Sequence, residues 1–175
     1  MADRKEKAPA DSEPDPRSQQ LILLLKEVFS DFDLQPVQNL DEVEAEVEPS
    51  RIRDVCRIAK EDKRLQFDYL RCLSVVDYND TFQTVYHLYS TRLKHRVVFK
   101  ASVPRDNPVF ASVTPVWRGA DWHEREGAEL FGVTFEGHPN PKHLLLWDGF
   151  EGYPGRKDYP FAEIEIVPGD IELPK

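Results

Sequence analysis

The sequence predicts an α+β fold of two layers, in which a mainly antiparallel, mixed sheet of about four to five strands is covered by helices on one face. Two amphipathic helical patterns precede three long strand-like segments between residues 67 and 104, and the joins between these strands are short enough for hairpins. A chain of 175 residues with 40% hydrophobic side chains can build one core. We therefore expect one domain over residues 18–158, between a flexible N-terminal tail (1–17) and an extended C-terminal tail (159–175).

The N-terminal half supplies two helices and one strand. Residues 1–17 contain three prolines and mixed charges, and their few apolar side chains cannot offset the entropy lost on ordering. Ser18 is the predicted cap of a first helix whose apolar stripe is Leu21, Leu24, Leu25, Val28 and Phe29. Strict alternation over residues 42–47 predicts a half-buried strand with an acidic outer face. Pro49 and Ser50 then open a second helix, with a core stripe of Ile52, Val55, Cys56 and Ala59 and a solvated basic face of Arg51, Arg53, Arg57 and Lys60.

Three strands are predicted next, at about residues 67–78, 81–91 and 95–104, and short joins make an antiparallel meander the expected arrangement. In the third strand, Val97, Phe99, Ala101 and Val103 share one face, which the two early helices would cover. A proline-punctuated connection with apolar anchors follows and leads to a third helix.

Composition excludes several classes of function. A formal net charge of -9 disfavours binding to nucleic acid or to anionic lipid, and no apolar run approaches the roughly 20 residues that cross a bilayer. The N-terminus lacks the apolar region of a signal peptide, so we expect the protein to stay in the compartment where it is made. Cys56 and Cys72 are isolated from each other, which predicts two buried reduced thiols rather than a zinc or iron-sulfur site.

The densest local chemistry lies at residues 121–159. Asp121 and Glu124 have the spacing of a capping box, which predicts a helix that begins at Trp122 and ends at Gly132. Arg125 is four residues from both Asp121 and Glu129, so we expect its guanidinium to bridge the two carboxylates. A tryptophan among these charges predicts a covered helix face.

Catalytic interpretations of this region fit poorly. His123, His138 and His143, together with Glu124, Glu126 and Glu129, offer zinc ligands, but their spacing does not place two imidazoles on one helical face. Nucleophile elbows, phosphate-binding glycine loops and dinucleotide fingerprints are missing from the sequence. The residues alone therefore indicate a cofactor-free α+β module with a concentrated interaction surface.

Two motifs in this region resemble a known family. Residues 124–126 (ERE), 129–132 (ELFG), His138-Pro139 and Lys142 before a Leu-Leu pair are similar to the signature of the 30 kDa (C-type) subunit of the proton-pumping NADH:quinone oxidoreductase, respiratory complex I. Residues 152–160 (GYPGRKDYP) resemble the tail of the same family, although Gly155 replaces its usual leucine. Gly127 and Ala128 likewise replace the bulkier pair that the family carries at that point.

The resemblance implies a peripheral-arm subunit without a cofactor of its own, docked on the large quinone-site subunit and neighbouring peripheral-arm subunits at the cytoplasmic face of the plasma membrane. NADH, FMN, iron-sulfur clusters and quinone would then belong to partner subunits, and the chain itself would not enter the membrane. In this hypothesis a charge network forms on the helix, His138-Pro139 fixes the next loop, and residues 156–158 dock on a neighbour. The interface residues implied are Asp121, Trp122, Glu124, Arg125, Glu126, Glu129, Phe131, Gly132, His138, Pro139, Lys142, Arg156, Lys157 and Asp158.

Two alternatives stay open. Membrane-bound hydrogenases, formate hydrogenlyase and F420H2 dehydrogenases use a similar subunit with other electron donors. A free-standing soluble adaptor that keeps the fold without the complex is a hypothesis of another class.

Overall fold

The structure, a computed structural model, describes residues 15–160. Within that range the helices are α1 (Pro16–Val28), α2 (Ile52–Glu61) and α3 (Ala120–Phe131). The strands are β1 (Val37–Asn39), β2 (Glu42–Glu46), β3 (Tyr69–Asp77), β4 (Thr81–Tyr89), β5 (Arg96–Pro104), β6 (Val109–Ala111) and β7 (Thr134–Glu136). Short 3-10 turns at Ser30–Phe32 and Pro49–Arg51 follow α1 and lead into α2.

The main sheet is mixed and has five strands in the order β1-β2-β5-β4-β3. Strands β3, β4 and β5 form the predicted antiparallel meander. Strand β2 joins it by parallel pairing with β5, in which Val43 lies opposite Val97, and β1 pairs antiparallel with β2. Strands β6 and β7 form a separate two-stranded parallel sheet. The α+β class and the mixed sheet that the sequence predicts are therefore confirmed.

The core lies on one face of the main sheet. Tyr86 of β4 is fully buried, and so are its cross-strand neighbours Leu73 and Phe99. The predicted stripe of α2 is completely buried in this core, at Ile52, Val55, Cys56 and Ala59. Helix α3 crosses β3 so closely that a Cβ atom added to Gly127 would lie 2.6 Å from Val75 Cγ2. The signature helix is thus a third element of the helical layer, beside the two early helices.

The start of α1 differs from the sequence prediction. The Asp15 side chain, not Ser18, caps the helix by accepting the Arg17 N–H at 3.3 Å. Pro16 occupies the first turn, where its fixed φ suits a helix and its missing N–H costs nothing, so the helix begins before the predicted boundary at residue 17. Predictions for residues 1–14 and for the C-terminal tail over residues 161–175 lie outside the described residues.

The basic face of α2 also differs, because only part of it is solvated. Arg53 donates from Nε to the carbonyl of Ser112 at 2.6 Å and from its guanidinium to the carbonyl of Glu136. Lys60 donates to the carbonyl of Val116. These side chains fasten β6, β7 and the loop before α3 to α2, and the prediction was wrong because the carbonyl partners are remote in sequence.

The two cysteines are free thiols. Cys56 is buried in the core, and burial raises the pKa of its thiol well above the ordinary value. Cys72 on β3 is only half-buried. The prediction of burial is confirmed for the first cysteine alone.

Candidate functional site

Helix α3 ends where the sequence predicts but begins earlier. Gly132 adopts a left-handed φ of 68° and its N–H bonds the carbonyl of Ala128 at 2.9 Å, which closes the helix. Its start lies at Ala120, and the N-cap residue Gly119 makes no side-chain cap. The preceding turn supplies the partners, because the Ala120 N–H bonds the carbonyl of Trp117 at 2.9 Å. Asp121 therefore lies inside the first turn, and the predicted capping box is wrong.

Glu124 is turned into the core instead of completing that cap. The side chain is 0% exposed, and Oε1 accepts the N–H of Val113 at 2.7 Å. Oε2 has no hydrogen-bond partner among residues 15–160. Burial raises the pKa of Glu124 from 4.5 to about 7, against the opposing effect of the nearby Ser112 hydroxyl and of the Val113 N–H hydrogen bond. This carboxyl group is therefore the main titratable group inside the site.

His138 ties the loop after β7 to the start of α3. Its Nδ1 accepts the N–H of Asn140 at 3.0 Å, so the ring proton resides on Nε2, which donates to the main-chain carbonyl of Asp121 at 3.2 Å. The same Nε2 lies 3.3 Å from the Asp121 carboxylate and 4.0 Å from Glu124 Oε2. The side chain is only 2% exposed. These contacts agree with the predicted role of His138 in holding the loop, with Pro139 exposed beside it.

Arg125 and Glu129 bind the main chain of residues 142–146 instead of each other. Arg125 donates from Nε to the carbonyl of Lys142 at 2.8 Å and from its guanidinium to the carbonyl of His143 at 2.6 Å. The Glu129 carboxylate accepts three consecutive N–H groups, from residues 144–146. Burial raises the pKa of Glu129, but these three N–H groups outweigh it and the net shift is downward.

The predicted charge network on α3 is therefore wrong. No ion pair joins Arg125 to Asp121 or Glu129 within the described part of the chain. Sequence spacing brings such groups to neighbouring positions on the helix, yet it cannot show that a later loop presents carbonyl and N–H groups to them. We call residues 142–146 the clamped segment.

Arg156 fastens the closing stretch to α3. Its Nε donates to the carbonyl of Phe131 at 2.7 Å, the carbonyl next to the helix end. The guanidinium lies 5.2 Å from the ring centre of Phe82 and 4.4 Å from that of Tyr153. Phe131 itself is half-buried, and its ring packs edge-on against the Phe82 ring with ring centres 6.4 Å apart.

Asp77 at the end of β3 is the second anchor of the closing stretch. Its side chain is 2% exposed and accepts Arg105 at 2.8 Å, the Asn79 N–H at 2.8 Å and the Lys157 N–H at 3.0 Å. Arg105 also pairs with Asp158 at 2.6 Å. Residues 156–158 thus bond to their own domain, and their docking on a neighbour stays a prediction. The sequence contained one signal for this anchor, which was an aspartate at a strand position that faces the core.

Outward-facing apolar residues lie beside these anchors. Trp122, Leu145 and Trp147 are 67%, 62% and 69% exposed, and we call them the apolar patch. Trp122 and Leu145 border one cleft, which Glu126 also lines. Trp147 packs its edge on Phe150 with ring centres 4.7 Å apart. The sequence predicts that Trp122 lies on a covered helix face, but residues 15–160 leave this side chain exposed.

A cavity of about 620 Å³ borders the clamped segment at Lys142, His143 and Leu146. It is lined by Glu124, Arg125, Ala128, Glu129, Val133, Thr134, Phe135, Glu136, Gly137, His138, Pro141, Lys142, His143, Leu146, Phe150, Gly152 and Tyr153. Over residues 15–160, the histidine, cysteine and carboxylate side chains form no group suited to a metal ion. The same described residues include no helix of the length and hydropathy that a membrane crossing requires.

Comparison with known proteins gives consistent matches. Residues 45–165 match the family model of the respiratory-chain NADH dehydrogenase 30 kDa subunit. The second C-type subunit of the NADH-quinone oxidoreductase of Rhizobium meliloti (strain 1021) is 47% identical over 117 residues, 65% of this chain and 64% of that protein. The C-type subunit of the Chloroherpeton thalassium enzyme is 35% identical over 93% of this chain and 69% of its own length. The chain thus spans less than two thirds of the first of these relatives.

Two solved structures share the fold. A chain of the archaeal membrane-bound sulfane sulfur reductase, a respiratory membrane complex, matches with a TM-score of 0.70 and 26% identity over 82% of this chain and 86% of that one. A trypsin-resistant fragment of Nqo5 matches with a TM-score of 0.58 and 25% identity over 69% of this chain and 98% of the fragment.

Proposed function

This chain belongs to the family of the respiratory-chain NADH dehydrogenase 30 kDa subunit, and from that premise we propose that it is a peripheral-arm subunit of a proton-pumping NADH:quinone oxidoreductase. It binds no cofactor itself and docks on the large quinone-site subunit and its peripheral-arm neighbours. NADH, FMN, iron-sulfur clusters and quinone are held by those partners. The complex lies at the cytoplasmic face of the plasma membrane, and this chain supports electron transfer by placement.

The observation that carries the proposal is the division of the signature residues between two tasks. Arg125, Glu129 and Arg156 bond main-chain atoms of their own domain. Trp122, Leu145 and Trp147, in the same region of the chain, are by contrast 67%, 62% and 69% exposed. Exposed aromatic residues on a rigid support are typical anchors of protein interfaces. The charged motif thus builds a support, and the apolar patch contacts the partner.

One observation favours a second candidate. The fold of the sulfane sulfur reductase chain matches over more of this sequence, and at a higher TM-score, than the Nqo5 fragment. An equivalent subunit in a related membrane respiratory complex with another electron donor is therefore the runner-up. The adaptor hypothesis predicts no membrane partners at all.

Co-purification from native membranes tests these candidates. The full chain with an affinity tag should retain flavin, iron-sulfur and membrane subunits, and their identity separates the first two candidates. Leu145→Ala should reduce recovery of these partners, because it removes a 62% exposed side chain from the apolar patch. Leu23→Ala is the matched control, since Leu23 is 70% exposed on α1. A tagged chain recovered alone from every membrane preparation would refute the proposal.

A further inference from the structure

The described part of the chain ends beside the cavity of about 620 Å³. The ring of Tyr159 stacks on Phe150 with ring centres 6.3 Å apart, and a Cβ atom added to Gly152 would lie 2.7 Å from the same tyrosine ring. Phe150 and Gly152 both line the cavity. Residues 161–166, with the sequence FAEIEI, therefore continue the chain from a point at the rim of the cavity.

Pro160 favours one direction for the side chain that follows it. A residue that precedes proline is biased toward extended backbone, and the side chains of residues i and i+2 in an extended segment point to the same side. Tyr159 and Phe161 have this spacing around Pro160. Because two residues span at most about 7 Å, Phe161 is within reach of the surface on which Tyr159 packs.

The walls of the cavity suit an aromatic ring. Phe135 and Tyr153 contribute aromatic surface, and Ala128, Val133 and Leu146 contribute aliphatic surface. Tyr153 is 42% exposed, so part of this apolar wall is open to an occupant. An aromatic side chain buries about 150 to 250 Å² when it packs, which is the largest apolar gain that any side chain of residues 161–166 offers.

We propose that the Phe161 side chain occupies this cavity, so that residues 161–166 dock on their own domain. The contact forms within one chain, so it goes beyond the proposed function and does not depend on it. Its loop-closure entropy is small, because a single residue separates Phe161 from the anchored Tyr159 side chain. The contact closes the apolar cavity and fixes the point from which residues 167–175 leave the domain.

The charges near the cavity are compatible with this contact. Glu163 follows Phe161 by two residues, the spacing that places both on one side of an extended segment. Lys142 on the cavity lining is exposed and has no ion-pair partner among residues 15–160. Glu136 is exposed on the same lining and repels an acidic group, so burial of the ring, and not ion pairing, stabilises the contact.

Nuclear Overhauser spectra and thermal melting of the free full chain test the proposal. Overhauser effects should connect the Phe161 ring to the methyl groups of Val133 and Leu146, with the Phe161 signals assigned by their loss in Phe161→Ala. That variant should also lower the midpoint of thermal unfolding by about 4 °C, because a partly buried ring is lost. Ile171→Ala removes an apolar side chain further along the same segment, so it is the matched control and should leave the midpoint unchanged.

Filling the cavity gives a second test. Ala128→Leu enlarges a side chain on the lining and should exclude the ring, so in that background Phe161→Ala should no longer shift the midpoint. Missing Overhauser effects in wild type, together with an unchanged midpoint in Phe161→Ala, would overturn the proposal, and loss of membrane partners from that variant would then assign the ring to a neighbouring subunit. Overhauser effects found only between differently labelled chains would also overturn it, because the ring would then lie in a second copy.

Discussion

The close packing of α3 on β3 predicts that Gly127→Ala destabilises the wild-type protein but stabilises a variant in which the neighbouring Val75 is shortened. Gly127→Ala puts a methyl group 2.6 Å from Val75 Cγ2 and 3.5 Å from the Phe135 ring. Overpacking against a stiff, buried valine costs about 2 to 3 kcal/mol, and the better helix propensity of alanine returns about 1 kcal/mol. We therefore expect the free energy of unfolding to fall by about 1 to 2 kcal/mol in urea titrations of the full chain.

The same change should be stabilising once the valine is shortened. In the Val75→Ala background the methyl group has space, so Gly127→Ala should raise the free energy of unfolding by about 1 kcal/mol. Gly119→Ala is the control, because a Cβ there meets nothing within 4 Å and the change should be nearly neutral. A Gly127→Ala protein as stable as wild type, with Val75 in place, would refute this close helix–strand contact.

Three further predictions concern the buried carboxylates. The folded-state pKa of Glu124 lies above the unfolded value, so its contribution to stability is complete below pH 4.5 and is lost as the pH rises through about 7. The difference in free energy of unfolding between wild type and Glu124→Gln should thus fall by about 3 kcal/mol from pH 4.5 to pH 8. A difference that stays constant with pH would contradict this prediction. Glu129→Gln should accelerate hydrogen exchange of amides 144–146 with little change in global stability, whereas unchanged exchange would disprove the clamp. Asp77→Asn should lower the free energy of unfolding at pH 7 by about 2 kcal/mol, measured by thermal melting. Burial raises the pKa of Asp77, but the hydrogen bonds that its carboxylate accepts from the Lys157 N–H, Arg105 and the Asn79 N–H outweigh burial, and the net shift is downward. The stability advantage of wild type over Asp77→Asn should therefore vanish as the pH falls below 3.8.

Local patterns in the sequence were sufficient for most of the fold. The stripe of α2, the alternation in β5 and the stop at Gly132 each depend on residues within one or two turns or strands, and all three are as predicted. The parallel pairing of β2 with β5 has no such local signal, since Val43 and Val97 are 54 positions apart (97 − 43). The sequence therefore predicted the elements better than their order in the sheet.

The sequence predicted which residues make up the site, but not which groups those residues contact. Glu124 has two local alternatives, a cap or a solvated face, and instead bonds Val113, which lies 11 residues earlier. Asp77 accepts an N–H from Lys157, 80 residues later. Helical spacing describes only which side chains of one helix are adjacent, whereas main-chain groups from a loop are stronger partners for a half-buried charge.

The main-chain hold on the clamped segment has a practical consequence. Arg125 and Glu129 recognise carbonyl and N–H groups, which every residue except proline provides, so the side chains at positions 144–146 are free to vary without loosening the hold. Replacing the side chains at positions 144–146 should therefore change the surface that the subunit presents to a partner, and so offers a route to retarget the subunit to a different assembly, while the rest of the domain is kept.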